Sequence, residues 1–380
     1  MSEYQYYEWL AIDRPLDKQQ LAEVEGLSSH MDVATSTQAV VTYSWGDFKH
    51  DPHKVLAHYF DAFLYTANWG SHHLAFRFPA AALDVAAIDP YLYADVIGWH
   101  KAGAYAVLTL EIDDENGGGD WIEADGLLSQ IAGVRRQLMN GDYRALYLTW
   151  LGMVALRNGN GDSENDTEDE DELPAEPPVP SGLEKLDGSL TALCEFFDVP
   201  KHLVKAAAAH SAKTVEPTAA ELRAKIAKLP RSRADDYLLR LLAADSPLNS
   251  ELRRELGLNK TQATTQTGQT RSKKSLVEEA QRLSRAETKS QQAKVAKARV
   301  AELEKLATRE EAAWMTAVAA IQNQTASAYD AAVQQLVDLR DLAEHRGDAS
   351  VFDIRLASWV DKLNPGRAFM NRLKKARLMP

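Results

Sequence analysis

A chain of 380 residues, 45% hydrophobic and 26% charged, is globular in composition and too long for one ordinary core, because single domains run to about 100–200 residues. One cysteine excludes an internal disulfide. The net charge of -12 is unevenly spread: residues 1–158 hold 10 bases against 21 acids, 159–180 hold 9 acids and no base, and 181–380 hold 33 bases against 25 acids.

The first ten residues are acidic and aromatic and lack the basic and apolar regions of a secretory signal, so a cytoplasmic location is expected. The apolar stretch Ala145 to Leu156 falls short of the about 20 residues that cross a bilayer, and no membrane span is expected. Tyr4 to Ile12 is aromatic and apolar enough for a strand. Asp17 and Gln20 then have the spacing of a capping box ahead of a helix through Leu21, Val24 and Leu27. Val40 to Tyr43 reads as a short strand. Asp51-Pro52 supplies an N-cap and a first-turn proline for a helix whose apolar spacing runs through Val55, Tyr59, Phe63 and Thr66. His73 to Phe78 alternates as a strand does, and Ala104 to Ile112 is a β-rich run closed by Asn116-Gly117-Gly118-Gly119. Two helices follow, with Gly141 between them and Asp142 capping the second. Short strands among unequal helices predict an α+β domain over 1–157 rather than a doubly wound sheet.

Residues 158–180 read as an acidic, Pro-rich, disordered linker, since a run such as Asp162 to Glu172 buries too little apolar surface to offset its ordering entropy. Residues 181–258, punctuated by Pro200, Pro217, Pro230 and Pro247, predict a small helical domain. A Thr/Gln-rich flexible linker is expected over 259–272. Residues 273–310 form a long charged helix with a poor heptad signal, a solvated arm or weak coiled coil. Residues 311–380 read as a helical docking region with a basic C-terminus. The fold class expected is thus an α+β N-terminal domain followed by an all-α C-terminal half.

The motifs that cradle a triphosphate, present an elbow serine or bind zinc are absent, and no cofactor is expected. Cys194 reads as a buried structural thiol, with no basic neighbour to activate it. His50, His53 and His58, near Asp47, are the weak candidates for a metal, although Pro52 opposes the early helix start that would align the first two. The dense aromatic set Tyr43, Trp45, Phe48, Tyr59, Phe60, Phe63, Tyr65 and Trp69 is read as core. The dipeptide Trp45-Gly46 recurs at Trp69-Gly70, but the flanks do not match and no repeat is read. Trp314, Tyr329, Phe352 and Trp359 are candidates for contact with a partner. Arg367, Arg372, Lys374, Lys375 and Arg377 are candidates for phosphate contact, set against the ordinary complement of basic residues to a helix C-terminus. Arg271, Lys273 and Lys274 form a second basic group.

The segments Tyr6 to Leu16, Tyr43 to Phe48 and Tyr59 to Gly70 resemble a family of uncharacterised bacterial proteins. The stretch Tyr329 to Val333, with Leu336 to Ala343, is similar to the tail of bacterial SWIM zinc-finger proteins; the zinc-binding cysteines are missing, so the similarity implies a shared partner or a shared helical docking element and no finger. The expectation is a non-catalytic interaction or scaffold protein that docks on another protein through its helical C-terminal half. The alternatives are a nucleic-acid-associated accessory of a helicase-like or SWIM-type partner, and an enzyme with its site in the N-terminal aromatic and histidine cluster.

Overall fold

The computed structural model describes residues 3–114, 124–159, 175–213, 217–242, 248–258, 271–323 and 325–379. Seven strands, β1 (Gln5–Leu10), β2 (Met31–Ala34), β3 (Gln38–Tyr43), β4 (Ala62–Ala67), β5 (Ser71–Pro79), β6 (Ile97–Ala102) and β7 (Tyr105–Asp113), form one antiparallel sheet of order β2-β3-β1-β4-β5-β7-β6. Helices α1 (Lys18–Glu25) and α2 (Pro52–Tyr59) begin as the sequence predicts. Asp17 and Gln20 close a capping box, and Asp51 accepts from the amides of His53 and Lys54 behind Pro52. The second helix is shorter than its apolar spacing suggested. It stops at Tyr59, and Phe63 and Thr66 belong to β4. A central strand is buried on both faces, so its run of apolar residues lacks the alternation that separates strand from helix. The edge strands β2 and β6 escaped the sequence reading, being short or largely exposed.

Alternation of side chains divides the sheet into two faces. The first face presents Leu64, Leu74, Phe76, Leu108 and Leu110 to a large core, and the second presents Trp9, Val41, Phe63, Ala75 and Val107 to a smaller one under α1 and α2. A charged network joins helix to sheet. The buried Asp61 carboxylate accepts from Arg77 (2.9 Å) and from the amides of Ile12 and Asp13. Arg135 forks onto Asp13 at 2.9 and 2.7 Å and donates from Nε to the Arg77 carbonyl. Two acids and two guanidiniums thus neutralise one another, and backbone groups take further hydrogen bonds, while Arg77 Nε is buried without a partner among the described residues; paired charge is the condition under which burial is tolerated.

Helix α3 (Val85–Ile88) lies in the connection from β5 to β6. The first face is covered by α4 (Leu127–Ile131), α5 (Gly133–Met139), α6 (Arg144–Gly159), α7 (Gly188–Phe196) and α8 (Lys201–Ala208). The expected separation at 158–180 is therefore no boundary of packing. Leu183, Leu190, Leu193, Phe196 and Leu203 are buried in one core with the sheet, and residues 181–213 are part of the head rather than a separate helical domain. The described end of the expected linker is held too. The Pro178 carbonyl accepts from the Tyr91 hydroxyl, and the Glu176 carboxylate receives Arg271 (2.6 Å) and the Tyr147 hydroxyl (2.5 Å). The acidic run Asp162 to Glu172, the glycines at 117–119 and the Thr/Gln-rich residues 259–270 lie outside the described residues.

Helices α9 (Ala219–Ile226), α10 (Arg231–Leu242) and α11 (Leu248–Glu255) follow, with Thr218 and Glu221 closing a capping box on the first. Helix α12 (Lys273–Ala307) is a single charged helix of 35 residues. The chain divides into two compact units, Met1–Ser284 and Arg285–Pro380. In the first, Leu276 and Ala280 of α12 join the head core. In the second, Leu303 and Leu306 join a bundle with α13 (Glu310–Gln322), α14 (Ala326–Arg346), α15 (Ala349–Leu363) and α16 (Arg367–Lys375). Gly347, at φ 81°, makes the left-handed turn after α14. Arg299 ties α12 to Asp338 and Asp341 of α14 at 2.6 and 2.7 Å. No helix among the described residues is long and apolar enough to cross a membrane.

Candidate functional site

The second face of the sheet changes character along the strands. Trp9, Phe63 and Ala75 are apolar neighbours in register, and the Trp9 indole donates to the Pro52 carbonyl at the start of α2. Two residues nearer the sheet's end, Val41, Tyr7, Tyr65, His73 and Glu111 stand side by side across five strands. Two residues beyond those come Tyr43, Gln5, Ala67, Ser71 and Asp113. The period of two puts these rows on one face, so a polar, titratable surface succeeds the core that α1 and α2 cover.

Most of these groups are held by partners. The Gln5 carboxamide oxygen accepts from the Tyr7 hydroxyl (2.6 Å) and the Tyr65 hydroxyl (3.2 Å), while its nitrogen donates to the Gly46 carbonyl (2.9 Å) and to Asp47 (3.0 Å). His73 lies against the Tyr65 ring at 5.1 Å and meets Asp113 through Nε2 at 2.9 Å. The hydrogen bond to His73 lowers the Asp113 carboxyl below its ordinary range, with help from Ser71. His53, projecting from α2, sits over the edge of Phe63 (5.7 Å), 3.6 Å from Glu111 and 6.3 Å from the His100 ring. Burial depresses its basicity against the pull of Glu111.

Two exposed tryptophans follow the strand ends where this face stops. Thr42 and Thr66 flank Tyr6 in register on either side of β1, and each is followed three residues later by Trp-Gly. The mismatch of the immediate flanks conceals this shared spacing, which is the signal that sequence reading passed over. Trp45 is 72% exposed and Trp69 40% exposed, so both leave the core to which the aromatic set was assigned, whereas Tyr43, Phe48, Phe60 and Phe63 are buried as expected. Gly46 and Gly70 both take positive φ, 78° and 99°. A Cβ on Gly70 would stand 3.0 Å from the Asp114 Cβ and carbonyl oxygen, so glycine is required where the turn between β4 and β5 meets the end of β7.

The sequence candidates fall elsewhere. His50 packs against Phe48, His58 lies beside Tyr59, and His53 reaches Glu111; the three do not converge. Among the described residues no group of three or more His, Cys, Asp or Glu side chains is placed to hold a metal. Trp314, Tyr329 and Phe352 are buried in the bundle, with Trp359 partly buried against the same core, so the expected partner anchors are spent on internal packing. Arg372 is engaged with Asp330 (2.6 Å) and the Tyr329 ring, while Arg367, Lys374, Lys375 and Arg377 are exposed. Arg271 is committed to Glu176. Burial pushes the Cys194 thiol up to about 12, consistent with an unreactive structural residue. A separate open cleft of about 320 Å³ is bordered by Asp13, Arg135, Arg136, Asn140 and Asn249; Arg135 is already occupied there by Asp13.

The comparisons with known proteins add no relative: no family model, no curated protein and no solved structure matches this chain.

Proposed function

We propose that this chain is a non-catalytic interaction protein whose head recognises a partner at the tryptophan-bearing end of its sheet. The observation that supports this reading is the exposure of Trp45 and Trp69 at equivalent positions beside β1, next to polar groups that are already paired. Exposed tryptophans flanked by fixed hydrogen-bonding groups are characteristic of recognition surfaces. Catalysis fits the same residues poorly. Asp113 takes both Ser71 and His73, whereas an activated serine must give its proton to the imidazole itself.

The test is co-purification from cell extract on immobilised protein, comparing the natural chain with Trp45→Ala/Trp69→Ala. A protein retained by the first and lost from the second supports the reading; an identical set on both overturns it. The nucleic-acid reading draws on the exposed Arg367, Lys374, Lys375 and Arg377, and predicts salt-sensitive duplex binding that is lost when these four become glutamine.

A further inference from the structure

We infer that the end of the sheet carrying Trp45 and Trp69 binds an extended, cationic protein segment, with arginine or lysine side chains laid over the two indoles. This deepens the proposal of an interaction surface and rests on it. β3 and β4 flank β1, and strands in a sheet lie about 4.8 Å apart, so the strand ends Tyr43 and Ala67 that lead into the two Trp-Gly turns are separated by about 10 Å. An extended chain covers that distance in about three residues. A guanidinium or ammonium is drawn to the electron-rich face of an indole, and tryptophan is the strongest such acceptor among the side chains.

Charge complementarity selects this occupant over a neutral one. Asp47 is exposed directly after the first turn, and Asp113 and Asp114 emerge beside the second, where the Asp114 amide donates to the Gly70 carbonyl at 3.1 Å. Residues 1–158, which carry the whole sheet, hold 21 acids against 10 bases, so the long-range field at this end draws cations and repels anionic ligands. Gln5 holds the first turn in place through the Gly46 carbonyl and Asp47, and Tyr4 fixes the second, its carbonyl accepting from the Asn68 amide while its own amide donates to the Asn68 side-chain oxygen. The two indoles are therefore carried on turns anchored to the same strand, and little backbone ordering remains to oppose binding.

The experiment is calorimetric titration of the full chain with a blocked hexapeptide bearing two arginines three residues apart. The matching glutamine peptide and a neutral oligosaccharide of similar length are the comparisons. Binding of the arginine peptide alone is expected, weakening as salt is raised. Trp45→Ala and Trp69→Ala should each weaken it about five- to tenfold, and Asp47→Asn should flatten its salt dependence. Trp45 is so exposed that its removal leaves folding intact, which an unchanged thermal midpoint verifies. Equal affinity for the glutamine peptide, binding of the oligosaccharide instead, or no effect of Trp45→Ala overturns the cationic assignment. If the arginine peptide fails while a partner from extract is still lost on removing both tryptophans, the recognition surface stands and only its ligand class is wrong.

Discussion

At the scale of single residues, the two Trp-Gly turns differ in a way that substitution can measure. Gly46 needs its positive φ but has open space around it, whereas Gly70 has the same need and Asp114 at its back. Gly46→Ala should therefore cost about 1 kcal/mol, and Gly70→Ala about 2–3 kcal/mol, because steric displacement adds to the left-handed strain. Urea unfolding of the two variants checks the order; equal losses would show that Asp114 moves freely. A second residue sets a pH dependence. His72 points to the first face, where it meets the Thr66 hydroxyl (3.0 Å) and the Phe196 ring, and burial lowers its imidazole to about 4, with His73 adding repulsion against the weaker pull of Asp113 and Asp114. In the unfolded chain a histidine titrates near 6.5. Below that pH the unfolded state gains a proton that the folded state refuses, so stability falls between about pH 6.5 and 4 and the loss from this group stops beneath. The size is about 2–3 kcal/mol, and the depressed His53 acts in the same direction. Lowering the pH from 7 to 4.5 should reduce the urea midpoint of the natural chain more than that of His72→Asn; parallel losses would clear His72 of the effect. None of this was legible in the sequence. His72 and His73 are adjacent in the chain, but their opposite faces and their partners from β7 and α7 depend on register.

At the scale of elements, local signals were readable wherever they act through neighbours in sequence. The Asp17 capping box and the Asp51-Pro52 start appear in the structure at the residues that announced them. The error at β4 and the missed β2 and β6 arise because strand identity is settled by cross-strand packing, which one segment does not contain. The same limit explains the misplaced domain boundary. Composition marked 158–180 as a break, yet α7 and α8 beyond it complete the core on the sheet's first face. A protein ending at residue 158 should consequently expose apolar surface, bind a hydrophobic dye and unfold without a sharp transition. One ending at residue 284 should unfold cooperatively. A sharp, dye-silent transition for the shorter protein would return 181–213 to independence. Within the longer protein, Phe196→Ala should cost about 3–5 kcal/mol, as expected for a buried ring whose site cannot fully collapse.

At the scale of the whole molecule, the two compact units have separate cores, and α12 contributes buried residues to both through its opposite ends. Residues 285–298 of that helix are exposed along their full length. A helix without tertiary contacts transmits little packing energy, since most helical stability in proteins comes from a buried face. Thermal unfolding should therefore not be two-state, and two calorimetric transitions are expected. Trp314 allows each to be assigned. Its indole is 2% exposed, lies 5.5 Å from Phe352 and 6.5 Å from Trp359 in ring separation, and is covered by Arg355 at 4.6 Å. Trp314→Ala should remove about 3–5 kcal/mol from the bundle alone, lowering or abolishing one transition while leaving the other within about a degree of its natural midpoint. Phe196→Ala should do the converse, lowering the head's transition and sparing the bundle's. If either substitution moves both transitions together, the two cores are energetically coupled, and the picture of two units unfolding independently along one solvated helix must be given up.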